Sequence, residues 1–401
     1  MNRTWIVFIL LVALAGCAGF IYSCGGGGGQ TSLLIFAADM GNGRELWTYD
    51  GSSSPQMIDI DAVTNATPGP FATYRDKLYF RGDDGTHGIE LMVYDGMSTP
   101  VVAANLGTPD PAGSDPGSEL SETGDMVVYQ NKLYFSSNYW SKLMVFDGVN
   151  APSLVSTSVV SPFNITEYDG KLYFRAADTS GDIELWSFDG VTASIAASIN
   201  PTGHSQARYL TEFDGKLYFS AADSGINYEL WCYDNGSAWM VTDINGTLKG
   251  SNPEHLKVYN GRLYFSADDG SGASKELWVH EAGTSSAEMV TDIYPGGGSY
   301  PATLTLFDGK LFFTGYNGSI RTLWALDGGS TVSSVSGVGD MSTSSARGMA
   351  VYKGKLYFPA EDVDHGFELW SYDGTSPPSM VEDLYTGTDD SYPVRFYIYT
   401  Y

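Results

Sequence analysis

The feature that most constrains this chain is a two-strand unit that returns from one end of the sequence to the other. Its clearest copy runs Gly170-Lys171-Leu172-Tyr173-Phe174, a short turn, then Glu184-Leu185-Trp186-Ser187-Phe188-Asp189-Gly190. Strand one recurs at Leu34, Leu78, Leu133, Leu172, Leu217, Leu263, Leu311 and Leu356, and its partner at Leu46, Leu91, Leu143, Leu185, Leu230, Leu277, Leu323 and Leu369. Eight copies at roughly 45-residue intervals match the period of four-stranded propeller blades. Apolar and small residues alternate in Leu185-Trp186-Ser187-Phe188, which is the strand period rather than the helical one. An aromatic share of 14% with 48 glycines fits many short strands joined by tight turns.

Two further strands complete each unit. Upstream lies a run ending in an aromatic residue and a two-residue turn, as in Glu167-Tyr168-Asp169-Gly170 and Val258-Tyr259-Asn260-Gly261. Asp-Gly and Asn-Gly supply the positive φ angles of a tight hairpin. Downstream lies a short apolar run, as in Met240-Val241-Thr242 and Met380-Val381-Glu382. The chain opens on the second strand of a unit and ends on Arg395-Phe396-Tyr397-Ile398-Tyr399, which has the pattern of the missing first strand. The expected fold is therefore an all-β, closed β-propeller with the C-terminal strand completing the N-terminal blade. Eight blades are expected, or seven if the degenerate unit around Leu143 is a distortion. The small residue after each tryptophan, Cys232 among them, is expected to be a buried filler between blades.

Residues Met1-Asn2-Arg3 form a short positive segment, and Trp5 to Ala13 are all apolar. Leu14-Ala15-Gly16-Cys17 resembles the lipobox of bacterial lipoproteins, which implies cleavage before Cys17 and a lipid on its thiol. Ile21-Tyr22-Ser23-Cys24 is the alternative, followed by the glycine run 25–29. An uncleaved helix over residues 5–22 and ordinary secretion are the remaining readings. The expected organisation is a signal peptide over 1–16 (alternatively 1–23), a Gly-rich tether over 17–32 and one propeller over 33–401. The propeller would lie outside the cytoplasm, at the envelope or cell surface, with the membrane as partner through the lipid.

The units resemble the ELWxxDGT repeat family of exported bacterial proteins. Glu368-Leu369-Trp370-Ser371-Tyr372-Asp373-Gly374-Thr375 matches that motif in full, while Met92 and Met144 stand in place of tryptophan. They are also broadly similar to kelch blades, without the kelch Gly-Gly doublet. The resemblance implies an exported propeller and assigns no chemistry to particular residues.

Acidic residues outnumber Lys and Arg by 47 to 21, a formal charge of −26 that repels phosphate backbones and sets nucleic acid aside as a partner. The turn between the motif strands pairs aspartates with the leading glutamate: Asp39 with Glu45, Asp83 and Asp84 with Glu90, Asp178 with Glu184, Asp223 with Glu229, Asp268 and Asp269 with Glu276, and Asp362 with Glu368. A rim of such pairs could hold Ca²⁺, which takes six to eight oxygens. The plainer expectation has each aspartate bonding its own turn and each glutamate solvated. Lys171 and Asp189, with the same offset in other units, are expected to face each other across a hairpin. The loop from Leu106 to Thr123, with Asp110, Asp115, Glu119 and Glu122, is where an enzyme would place its acids. No nucleophile elbow, His-x-x-x-His or phosphate-cradling glycine loop is present. The reading that follows is a non-catalytic binding or scaffolding module for a glycan, peptide or protein. An envelope polysaccharide hydrolase or lyase and a calcium-stabilised structural ring are the alternatives, with no other cofactor expected.

Overall fold

The computed structural model describes residues 30–60, 65–104, 126–137, 141–246, 249–271, 275–328, 331–341 and 348–401. Cys17, Cys24 and the acidic loop bearing Asp110, Asp115, Glu119 and Glu122 lie outside them.

The described strands form eight four-stranded antiparallel sheets. The innermost strands are Val394–Thr400 (blade 1), Phe71–Tyr74 (2), Met126–Tyr129 (3), Val160–Tyr168 (4), Arg208–Phe213 (5), Glu254–Tyr259 (6), Ala302–Phe307 (7) and Ala350–Tyr352 (8). Each touches the innermost strand of the next blade, and the eighth touches the first, so the ring is closed. The unit around Leu143 is a full blade, which settles the count at eight.

Closure works as the two chain ends predict. Val394–Thr400 pairs with Ser32–Asp39, placing Thr400 opposite Ser32 and Ile398 opposite Leu34. The hairpins joining first and second strands turn on two positive-φ residues, such as Asp169 and Gly170 at 46° and 68°. That geometry matches the right-handed twist of the flanking strands.

Eight apolar clusters fill the eight blade junctions. At the heart of each second strand a phenylalanine is fully buried, from Phe36 to Phe358. Trp186 and Phe188 face one junction while Leu185 faces the other, as the strand alternation requires. Cys232 is buried and unpaired in the small slot after Trp231, with burial pushing its thiol up to about 11.

Hydroxyl latches tie consecutive blades. The terminal tyrosine of an innermost strand donates to a backbone carbonyl at the next blade's hairpin: Tyr74 to Asn131 (2.9 Å), Tyr129 to Gly170 (2.7 Å), Tyr168 to Gly215 (2.9 Å) and Tyr259 to Gly309 (2.9 Å). Across the chain ends, Tyr352 donates to Ser32 (2.5 Å) and Tyr399 to Asp76 (2.8 Å). Phe213 and Phe307 occupy this position in blades 5 and 7 without a hydroxyl.

Candidate functional site

The turn carboxylates divide into two sets. Each aspartate folds over its own turn. Asp39 accepts from the backbone N–H of Gly41 and Gly43, Asp178 from Ser180 and Asp182, and Asp362 from Asp364 and His365. Asp83, Asp84, Asp268 and Asp269 do the same, and Asp223 accepts from Ser224 Oγ and Asn227 Nδ2. Donated hydrogen bonds hold Asp178 below its ordinary value.

The glutamates do the opposite. Glu45, Glu90, Glu184, Glu229, Glu276 and Glu368 are all buried, which corrects the expectation of solvated side chains. Each sits near the start of its blade's third strand, and Glu45, Glu184, Glu229, Glu276 and Glu368 accept backbone N–H bonds from the segment that carries the chain to the next blade. Glu184 accepts from the N–H of Ile199 and Asn200, and Glu276 from those of Ile293 and Ser299. A serine hydroxyl completes the clamp: Ser299 to Glu276 at 2.5 Å, Ser391 to Glu368 at 2.6 Å, and Ser251 to Glu229. Burial raises Glu184, Glu229 and Glu276, and carries Glu368 to about 7. The serines escaped the sequence reading, although Ser251-Asn252-Pro253, Ser299-Tyr300-Pro301 and Ser391-Tyr392-Pro393 repeat a Ser-x-Pro signal. In these loops the Asp and Glu carboxylates therefore join different hydrogen-bond networks. Among the described residues no group of three or more His, Cys, Asp or Glu converges to hold a metal.

Two other charge patterns can be placed. The cross-strand offset holds in blades 6 and 7, where Arg262 pairs with Glu281 (2.9 Å) and Lys310 with Asp327 (3.1 Å). In blades 2, 4 and 8 the aspartates at this offset, Asp95, Asp189 and Asp373, instead accept from N–H groups of their own turns, and in blade 5 Lys216 lies 3.8 Å from Asp214. His87 and His365 each place Nδ1 2.8 Å from the aspartate three residues earlier, so their equivalent turns share one geometry. Those carboxylates raise both imidazoles.

The innermost strands carry two exposed sets, Val128, Glu167, Glu212, Leu306, Val351 and Ile398 just before the terminal aromatic residue, and a partly exposed set on a recurrent bulge. Asn164, Tyr209, His255, Thr303 and Arg395 occupy equivalent positions with φ between 55° and 59°, and Gly348 does so in blade 8 at 79°. The ladder shifts register there, between Arg208 and Thr211 for instance, so the bulge re-aims the side chain. Left-handed backbone outside glycine costs roughly 1–3 kcal/mol and gathers at functional surfaces. Threonines two positions on brace the bulge, Thr211 Oγ1 donating to Tyr209 O and Thr305 Oγ1 to Thr303 O. Blade 6 has Lys257 at that position, and burial lowers its pKa. Tyr209 and His255 touch across blades, with ring centroids 5.5 Å apart. The axial wall thus mixes amide, phenol, imidazole, ammonium and guanidinium groups with the apolar side chains of Val128, Leu306, Val351 and Ile398 and the carboxylates of Glu167 and Glu212.

Fold and wall together define an eight-bladed β-propeller. No family model matches the chain, and no curated protein matches it. Solved structures match it in fold at low identity. A puromycin-hydrolyzing peptidase of Mycobacterium tuberculosis aligns with TM-score 0.53 and 10% identity over 79% of this chain and 53% of that one. A puromycin hydrolase S511A mutant complexed with PGG aligns with TM-score 0.51 and 13% identity over 80% and 54%. The chain therefore spans about half the length of these peptidases. Apo AztD from Citrobacter koseri aligns with TM-score 0.51 and 12% identity over 92% of this chain and 98% of that one.

Proposed function

We propose that this propeller is a non-catalytic binding module of the cell envelope, tethered by a lipid on Cys17 or, alternatively, Cys24. Its ligand would be a glycan, a peptide segment or a partner protein engaging the axial face. The observation behind this reading is the set of left-handed, partly exposed residues on the innermost strands, Asn164, Tyr209, His255, Thr303 and Arg395. A rigid ring presenting several similar positions lets weak contacts add through multivalency. The acidic loop of the enzyme alternative, with Asp110, Asp115, Glu119 and Glu122, lies outside the described residues.

The test compares wild type with a Tyr209→Asn, His255→Asn variant, since blade 4 already places Asn164 in this conformation. Both are immobilised and offered purified envelope glycans and envelope proteins. Retention by wild type and loss in the variant, at an unchanged melting midpoint, supports an axial site. Equal retention by both overturns it. Mass spectrometry of the mature N-terminus should find a diacylglyceryl cysteine; an unmodified Met1 or Cys refutes the anchor.

A further inference from the structure

The junction between blades 7 and 8 departs from its neighbours. The residue at this position of the third strand is elsewhere buried: Tyr49, Tyr94, Phe146, Phe188, Tyr233, His280 and, in blade 7, Leu326 are all at most 9% exposed. In blade 8 the equivalent Tyr372 is partly exposed. At two other junctions the matching rings are both tyrosines, Tyr49 against Tyr357 with centroids 5.8 Å apart and Tyr173 against Tyr233 at 5.3 Å. Here Tyr372 meets Phe307 and Phe312, rings without a hydroxyl, at 6.3 and 5.9 Å. Its own hydroxyl has no hydrogen bond among the described residues.

Opposite this ring, blade 7 presents small side chains. Ala325 and Ser333 pair across its third and fourth strands, a register held by Ser187 and Ser194 in blade 4, by Ser371 and Ser379 in blade 8, and by Cys232 and the bulky Trp239 in blade 5. A cleft of about 220 Å³ lies here, lined by Tyr372, Ser333, Ser336, Thr375, Asp308 and Lys310. Pockets for drug-sized ligands run to roughly 300–1,000 Å³, so this one takes a single residue of a polymer. One accessible aromatic face accepts the apolar face of a pyranose. The Ser333 and Ser336 hydroxyls make no hydrogen bond among the described residues, and Asp308 and Lys310 supply an acceptor and a donor for sugar hydroxyls. Proline recognition uses slots between several aromatic rings, and here Phe312 is only 2% exposed.

We propose that the cleft between blades 7 and 8 is a subsite for one neutral sugar residue stacked on Tyr372. It is separate from the axial wall and stands whether or not that wall binds a partner. The probes are methyl glycosides of glucose, galactose, mannose and fucose, offered to the full-length chain in a sugar-free detergent and read by saturation-transfer NMR. At least one glycoside should receive saturation mainly on the C–H protons of one ring face. Tyr372→Ala should weaken it about tenfold, the size of a lost aromatic contact. Tyr372→Phe should keep the stacking and lose less. Ser333→Trp, copying the residue of blade 5, should abolish binding without lowering the melting midpoint. The Tyr209→Asn, His255→Asn variant should bind the glycoside as wild type does. No transfer from any glycoside, transfer unchanged by Ser333→Trp, or binding of acetyl-Pro-Pro-amide in place of the glycosides each overturns the proposal.

Discussion

Within one repeat, two carboxylates a few residues apart meet opposite fates. Asp178 lies over an exposed turn, and hydrogen bonds from the Ser180 hydroxyl and the N–H groups of Asp182 and Ser180 hold its carboxyl below the ordinary value. Glu184, the first polar residue of the next strand, is fully buried and its pKa is raised. Spacing explains the difference. The turn leaves Asp178 nothing to bond but itself, whereas the strand register fixes Glu184 under the unpaired N–H groups of the segment leaving the blade. Buried backbone donors require acceptors, and in a propeller this crossing segment has no sheet partner of its own. The glutamate thus acts as part of the fold, and the aspartate shapes a local turn.

The largest expected effect breaks a clamp. Glu276→Ala removes the acceptor for Ile293 N–H, Ser299 N–H and Ser299 Oγ, leaving the two Ser299 donors buried and that of Ile293 half-buried. At roughly 1–3 kcal/mol per orphaned group, partly relieved by relaxation, the loss should be about 3–5 kcal/mol. Urea unfolding checks it; a change below about 1 kcal/mol, typical of an exposed site, sinks the clamp. Ser299→Ala should cost less, because two N–H donors keep their carboxylate.

The next effect is pH. A glutamate whose folded pKa exceeds its unfolded value contributes stability that is full below the unfolded pKa and lost as pH rises through the folded one. Glu368 moves from an ordinary 4.5 to about 7, so its contribution fades between about pH 4.5 and 7, with Glu184, Glu229 and Glu276 adding in the same direction. The exposed aspartates have the opposite sign. Asp50 and Asp147 are held at about 2, so their contribution is present above the ordinary 3.8 and lost as pH falls toward 2. The melting midpoint should therefore climb from pH 8 toward pH 5 and fall again in strong acid. Glu368→Gln should flatten the upper limb, because the neutral side chain can still accept from Leu384 and Ser391. When the acid is protonated, the Ser391 hydroxyl can turn its hydrogen to Phe367 O, 3.2 Å away. A midpoint that rises between pH 5 and 8 contradicts the burial argument.

This division also marks how far the sequence could be read. The repeat, its strand order and the closure by Phe396 to Tyr399 were legible because period, turn chemistry and alternation all favour one pairing. Cys232 was legible as a filler for the same reason. The burial of Glu184 and its equivalents was not, because a charged residue at a strand start ordinarily faces solvent. What reverses it is a set of backbone donors fifteen or more residues downstream, a tertiary fact. The axial bulges were hidden too: Asn164, Tyr209, His255, Thr303 and Arg395 share a backbone conformation and no side-chain chemistry. The exposure of Tyr372 depends on a neighbouring blade, which no local pattern reports.

The smallest expected effects belong to the aspartates. Asp178→Asn keeps an acceptor for Ser180 and Asp182 and should leave the urea midpoint nearly unchanged, while Asp178→Ala should lower it, though by less than Glu276→Ala. A calcium-bound rim makes a different prediction. Cation coordination would use charge that asparagine lacks, and bound metal adds stability in proportion to its occupancy. If the turns are held by their own hydrogen bonds, the melting midpoint should be the same in excess EDTA and in millimolar Ca²⁺, for wild type and for Asp178→Asn alike. A rise with Ca²⁺ that Asp178→Asn removes would show that the aspartates serve a metal as well as the turn, and would place both carboxylates of the repeat in the framework.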